Sequence, residues 1–305
     1  MSIKTHFSIK DLENLSGVKA HTIRIWEKRY HLLNPDRTET NIRIYDLDNL
    51  KRLLDITFLY EEGYKISKIA KYDVHEIKNI IANSAGNNHN QFAKTSFKNA
   101  MLNFDSNLFN TTYTALLKEM DFQKLFFEVF IPFLEEVGIL WHTNTIDISH
   151  ERFIAELIKR KTILHIENQK GQYKINDKDL VFCLFTPLNE MHDLGLLYTN
   201  FELEKANIQT IYLGPNTPLE SLPLQLSDTK EVIFISYNTL KPVTEDMYDY
   251  FSKYQELTNK KKSATLWVMG PKAKCIDTSK IPENIKPILT FEDFKLSLAQ
   301  IKNEH

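Results

Sequence analysis

Apolar and polar positions change period three times along the chain. Near the start, Ser8 precedes a short run, Ile9 to Leu15, that ends at Ser16-Gly17; a second run covers about Ala20 to Tyr30. Both have helical spacing, and a serine before and a glycine after are the residues that start and stop helices. An extended stretch follows at about Asn34 to Tyr45. A third helix is predicted from about Asp46 through Leu50, Leu53, Leu54, Phe58 and Leu59 to Gly63, and a short fourth around Ser67 to Lys71. From Phe92 to Lys170 the spacing is three and four throughout, as in Leu116, Leu117, Met120, Phe122, Leu125, Phe126, Val129, Phe130 and Phe133. Asp105, Asp121 and Asp147 or Ser149 mark the starts of successive helices. Four helices of this length imply a bundle. Beyond Asp179 short apolar runs alternate with helical patterns. Strands are predicted at 179–186, 208–213, 231–236, 264–269 and 287–290, with helices between them and one at the end. Such alternation implies a doubly wound parallel sheet. The helix over 195–206 is expected to bury Leu197, Phe201 and Leu203 and to expose Glu202, Glu204 and Lys205.

Two polar stretches, "NSAGNNHNQ" and "QKGQYKINDKD", separate these regions, and "NKKKS" at Asn259–Ser263 is expected to be a solvated turn. The expected organisation is residues 1–76 as a helix-turn-helix unit, 77–92 as a linker, 93–172 as the helical bundle and 178–305 as the α/β domain. The fold class is therefore multidomain α and α/β.

Composition narrows the function. Hydrophobic residues at 42% and charged residues at 26% are ordinary for a globular protein. No apolar run approaches the ~20 residues a membrane span needs. The start is polar and amphipathic, unlike a secretory signal, so a cytoplasmic location and no membrane partner are expected. Cys183 and Cys275 lack metal spacing. The net charge of −2 decides nothing about nucleic acid, but residues 1–75 carry 13 basic and 11 acidic residues against 25 and 29 in the remainder. No Walker loop, nucleophile elbow or zinc spacing is present, and an enzyme is not expected.

Within "HTIRIWEKRYHLLNPDRTETNIRIY", Arg24, Lys28 and Arg29 share one helix, and Thr22 lies near its start. Cationic side chains neutralise phosphates, and short polar ones reach base edges or phosphate oxygens. The same helix taken alone is equally an amphipathic helix with aromatic core residues and solvated charges. The wider pattern resembles the MerR family of winged-helix transcription regulators over roughly residues 5–75: Ser8 to Gly17, Val18, Thr22-Ile23-Arg24, Trp26 to Tyr30, Pro35, Arg37, Arg43-Ile44-Tyr45, Asp48, Leu50, Ile56 and Leu59. The resemblance implies a recognition helix in the major groove, with Ser8, Thr22, Arg24, Lys28, Arg29 and Tyr30 on the DNA side. It also implies a wing whose Arg43 and Tyr45 reach phosphates, while Trp26 belongs to the core. His31 stands where a glycine usually turns the chain, and Thr40-Asn41 replaces a Gly-rich wing tip; asparagine tolerates positive φ. Double-stranded promoter DNA read by at least a dimer, or by a tetramer, is the implied partner.

At the other end, "NEMHDLG" follows a predicted strand and opens a helix, where open α/β sheets place ligands. Glu190-Met191-His192-Asp193-Leu194-Gly195, Ser236 and Gly270 resemble the cobalamin-binding Rossmann-like domain, over about residues 178–303. Trp141 and Glu151 in the bundle resemble that family's helical cap. The resemblance implies cobalamin, as adenosylcobalamin or methylcobalamin, held between cap and α/β domain. His192 would be the cobalt ligand and Glu190 the carboxylate that orients it. Gly195 would let the helix start close to the ligand, Ser236 and Gly270 would receive the nucleotide tail, and Trp141 would pack over the upper face. Glu190 replaces the usual aspartate, Pro271 the second glycine of Gly-Gly, and Arg152 the cap histidine of light-responsive members. The expected function is a MerR-type regulator controlled by cobalamin or a related signal. A regulator whose module is degenerate and serves for oligomerisation or partner docking, and a corrinoid methyl carrier, are the alternatives.

Overall fold

The computed structural model describes residues 4–83, 89–169, 180–224, 228, 231–242, 246–259 and 263–304. The expected connector at 170–179 and residues 260–262 of the Asn259–Ser263 turn lie outside them. The chain divides into two compact units, Met1–Ile158 and Lys159–His305.

The first unit begins with β1 (His6–Phe7), α1 (Ile9–Ser16) and α2 (Ala20–Tyr30). Ser8 caps α1 through a reciprocal pair with Asp11, and Gly17 ends it in the left-handed region. His31 ends α2 at φ 53, and its N–H donates to the Glu27 carbonyl. The glycine expected at that position is thus replaced by a residue that accepts the same conformation. β2 (Asp36–Arg37) and β3 (Arg43–Asp46) form the wing, in an antiparallel sheet of order β1-β3-β2. Asn41 at φ 64 turns the tip, and the Arg37 guanidinium bonds its side-chain oxygen at 2.6 Å. α3 (Leu47–Glu61), α4 (Ile66–Ile69) and α5 (Val74–Asn83) follow. α5 corrects the expected linker: residues 77–83 are helical, because Ile77 and Ile81 bury themselves, leaving only 84–88 outside the described residues. Phe7, Leu12, Leu15, Ile23, Trp26 and Tyr45 make the core of this part.

The bundle comprises α6 (His89–Asn103), α7 (Ser106–Leu116), α8 (Phe122–Lys124), α9 (Ile131–His142) and α10 (Ile148–Gln169). A π-helical segment, Leu125–Phe130, joins α8 to α9. Asp105 and Asp121 cap α7 and α8 as expected. Phe97, Phe109, Phe130 and Phe133 stack in the interior. Polar ties hold the winged helix to this bundle. Lys98 Nζ donates to the Leu15 carbonyl at 2.8 Å and pairs with Glu136 at 2.6 Å. Asn14 bonds Thr145, and the Lys4 N–H bonds Asp147.

In the second unit β4 (Leu180–Phe185), β5 (Thr210–Gly214), β6 (Glu231–Tyr237), β7 (Ala264–Met269) and β8 (Ile285–Pro287) form a parallel sheet of order β5-β4-β6-β7-β8. α11 (Leu194–Lys205), α12 (Met247–Thr258) and α13 (Phe291–Glu304) complete the unit. All six residues of β4 are buried, as a central strand covered on both faces requires. Strand order reverses between β4 and β6, so the crevice of a doubly wound sheet opens there. One expectation fails: Glu202 and Glu204 are buried. They accept hydrogen bonds from Tyr198 and Thr210, because α11 is covered on its outer side too, where His165 meets Phe201.

Asp55 of α3 faces α6 beside a cavity of about 650 Å³ that Lys51, Lys78, Phe92, Asn99 and Leu108 help to line. Burial pushes its carboxyl up to about 6, against a smaller lowering by the bond from Asn99. The charge on Asp55 therefore costs stability above about pH 6, and that cost disappears as pH falls toward the ordinary aspartate value. Asp55→Asn is expected to stabilise the protein by about 1–3 kcal/mol at pH 8 and by nothing near pH 4, checked by denaturant melts.

Candidate functional site

The loop after β4 is shaped by its own polar side chains. Thr186 Oγ1 donates to the Glu190 carbonyl at 2.6 Å, and the Asn216 N–H donates to that carbonyl and to Thr186 Oγ1. Asn189 and Asn216 take φ 66 and 60, and the Asn189 N–H donates to the Asn216 side chain. These bonds aim the Glu190 side chain inward and His192 outward.

The Glu190 carboxylate is almost wholly buried and receives four donors. Oε1 takes the His192 N–H at 2.9 Å and His192 Nδ1 at 2.6 Å. Oε2 takes the N–H groups of Leu240 and Lys241 at 2.5 and 2.9 Å. Burial alone would push this carboxyl up, but the bonds from His192, Leu240 and Lys241 outweigh it and hold it at about 2. An ionised carboxylate only accepts, so His192 Nδ1 carries a proton. A ligating histidine is commonly oriented by such a bond at its other ring nitrogen. The imidazole side chain is 59% exposed. Leu188 and Met191 of the same loop, Leu213 of β5 and Leu240 after β6 also expose apolar side chains. An exposed imidazole on loops that also expose apolar side chains suits a metal macrocycle. Behind it, Asp193 is clamped by Lys159 at 2.7 Å and Tyr212 Oη at 3.2 Å, which anchors the start of α11.

The other predicted residues of this unit have neighbours from the same chain. A methyl added to Gly195 would sit 2.1 Å from Tyr237 Cζ, so this glycine admits the Tyr237 ring. Gly270, at φ 92, lies against the Asn238 backbone, 2.6 Å from where its Cβ would be. Ser236 is fully buried, and its hydroxyl engages Asn238 Oδ1 at 2.7 Å and Tyr250 Oη at 2.9 Å. Thr186, Asn216, Tyr237 and Asn238 were not singled out in the sequence. "GPN" after β5 carried a turn signal for Asn216, whereas nothing local marked Tyr237.

In the first unit Trp141 is half-exposed near the end of α9, beside His142. Glu151 is half-buried and Arg152 exposed on α10. His150 is buried against Phe104, and its Nδ1 accepts the Asp147 N–H.

Arg24, Lys28 and Arg29 are exposed along α2, while Thr22 and Tyr30 are half-buried. Arg29 lies over the Tyr30 ring at 5.3 Å. Ser8 is exposed but spends its hydroxyl on the α1 cap. Both wing residues meet Glu27. Tyr45 is fully buried, and its hydroxyl donates to Glu27 Oε2 at 2.9 Å. Arg43 Nε pairs with the same carboxylate at 2.9 Å. The alternation of β3 turns Tyr45 inward, toward α2, and Glu27 gathers both side chains. Trp26 is core, as expected.

The combination defines a class: a winged helix-turn-helix joined to a helical bundle and a doubly wound α/β unit with a carboxylate-held histidine at its switch point. Residues 7–74 match the MerR HTH family regulatory protein family, and residues 94–163 match the B12 binding domain family. The chain thus carries a MerR-type helix-turn-helix segment and a B12 binding domain, the make-up of a DNA-binding regulator. It is homologous to the HTH-type transcriptional repressor CarH of Myxococcus xanthus, 27% identical over 71% of this chain and 73% of that one. It is also similar to CarA of the same organism, 20% identical over 70% of each. This homology points to a regulator rather than an enzyme. The monomethylamine corrinoid protein of Methanosarcina barkeri shares the fold, with TM-score 0.54 and 14% identity over 69% of this chain and 99% of that one. Among the described residues no helix is long and apolar enough to cross a membrane.

Two outcomes follow from these contacts. Tyr45→Phe is expected to cost about 1–2 kcal/mol of stability, measured by denaturant melts, because Glu27 loses one donor. The folded Glu190 carboxyl lies below its ordinary value, so its stabilisation is complete above about pH 4.5 and is lost as pH falls toward 2. Glu190→Gln is therefore expected to destabilise by about 2 kcal/mol at pH 7, with the gap to wild type shrinking at pH 3.

Proposed function

We propose that this chain is a cytoplasmic transcription regulator whose hold on promoter DNA is controlled by cobalamin, with His192 as the cobalt ligand. The observation that supports the reading most directly is the Glu190–His192 pair, in which a buried carboxylate orients an exposed imidazole at the switch point. The proposed parts are a DNA-binding segment at 1–76, the helical bundle at 93–172 and the α/β domain at 178–305. Trp141 and Glu151 are assigned to cobalamin binding by the helical bundle. Cobalamin would supply a cobalt centre with an exchangeable ligand, and His192, oriented by Glu190, would hold it.

On the DNA side, Arg24, Lys28 and Arg29 are assigned to phosphates or bases and Thr22 to groove edges. Two half-sites need two recognition helices, so the assembly on DNA is at least a dimer. Control requires that the ligand favour one assembly over another.

The test begins with dark incubation with adenosylcobalamin, gel filtration and a visible spectrum. Corrin is expected to co-elute with the wild type, and His192→Ala is expected to lose about tenfold or more in affinity. Absence of corrin from the wild type would sink the reading. In a footprinting titration, Arg24→Ala and Arg29→Ala should each weaken DNA binding and lower the salt slope by about 1.

A further inference from the structure

The crevice between β4 and β6 is where a doubly wound sheet admits a ligand deeply. In the family that this unit resembles, that depth takes the nucleotide tail. Here the chain fills the space with its own groups. Successive residues of β6 point to opposite faces, so Tyr237 and Ser236 close two sides. Tyr237 packs with the buried cluster of Leu196 and Met269 and lies on Gly195, where an added Cβ would meet the end of its ring. Burial raises the Tyr237 hydroxyl above its ordinary pKa, consistent with a ring held inside. On the other face the Ser236 hydroxyl is taken up by Asn238 and Tyr250. Across the top, the Glu190 carboxylate laces the β4 loop to the N–H groups of Leu240 and Lys241. Gly270 is pressed against the Asn238 backbone. Each small residue that would make room for a tail thus accommodates a neighbour from the same chain.

We infer that Tyr237 is a specificity-determining residue that keeps the lower nucleotide out of the α/β unit, so that the ligand is selected through its corrin ring and cobalt and not through its tail. This deepens the cobalamin reading and rests on it. The exposed surface left for recognition is the His192 imidazole with the apolar side chains of Leu188, Met191, Leu213 and Leu240. A corrinoid without a nucleotide base presents the same ring and metal to that surface.

The experiment compares hydroxocobalamin with diaquocobinamide, which has the same corrin and cobalt but no nucleotide. Both are titrated in the dark into the full chain, and the visible bands report occupancy and cobalt–imidazole coordination. Wild type is expected to bind hydroxocobalamin no more tightly than diaquocobinamide, because the nucleotide base must leave cobalt for His192 and finds no slot. Tyr237→Ala opens the slot and is expected to strengthen hydroxocobalamin by about tenfold while leaving diaquocobinamide unchanged. Tyr237→Phe keeps the ring and should match wild type. Hydroxocobalamin binding wild type about tenfold or more tighter than diaquocobinamide overturns the inference. That ratio decides the matter even if Tyr237→Ala does not fold. If neither corrinoid binds wild type, the cobalamin reading itself fails. If both bind equally well to wild type and to a folded Tyr237→Ala, the corrin is the selected part but Tyr237 is not what excludes the tail.

Discussion

The second unit is organised around one buried carboxylate. Glu190 sits at the point where strand order reverses, and a charge there must be matched by donors or lose its proton. The four donors come from two chain segments fifty residues apart, the His192 loop and the Leu240–Lys241 turn. One interaction therefore keeps the glutamate ionised, orients the imidazole and ties the loops on either side of the crevice. The longer side chain of glutamate has a use here, since it meets backbone donors on the far loop while still reaching His192.

The first unit shows the same logic at smaller scale. Glu27 of α2 collects Arg43 and Tyr45 from the wing strand, which locks the wing against the helix that carries Arg24, Lys28 and Arg29. Lys98 and Asn14 extend the ties into the bundle. Polar contacts of this kind are directional, so they set the orientation of the winged helix on the bundle more sharply than apolar packing would.

Much of the fold was legible because it rests on short-range signals. Ser8, Asp105 and Asp121 cap helices where the sequence suggests, and the five strands lie close to their predicted positions. The exceptions have physical causes. Residues 77–83 read as linker because the polar run beyond them dominates, yet Ile77 and Ile81 find cover. Glu202 and Glu204 read as exposed because periodicity sees one covered face, whereas α11 is covered on both. At Tyr45 the motif gives a residue type without the direction in which the strand turns it.

From the sequence alone came the order of the parts, the helix caps, the parallel sheet and the histidine that a neighbouring carboxylate orients. Those features depend on residues close together in the chain, on period and on local chemistry. The tertiary structure alone decided who occupies the space beside Gly195, Ser236 and Gly270. A glycine records only that something must come near; whether the neighbour is a ligand or the chain's own Tyr237 and Asn238 depends on contacts between residues far apart in sequence. The same holds for Glu27 and for the two backbone donors on Glu190, which no local pattern could pair with their partners.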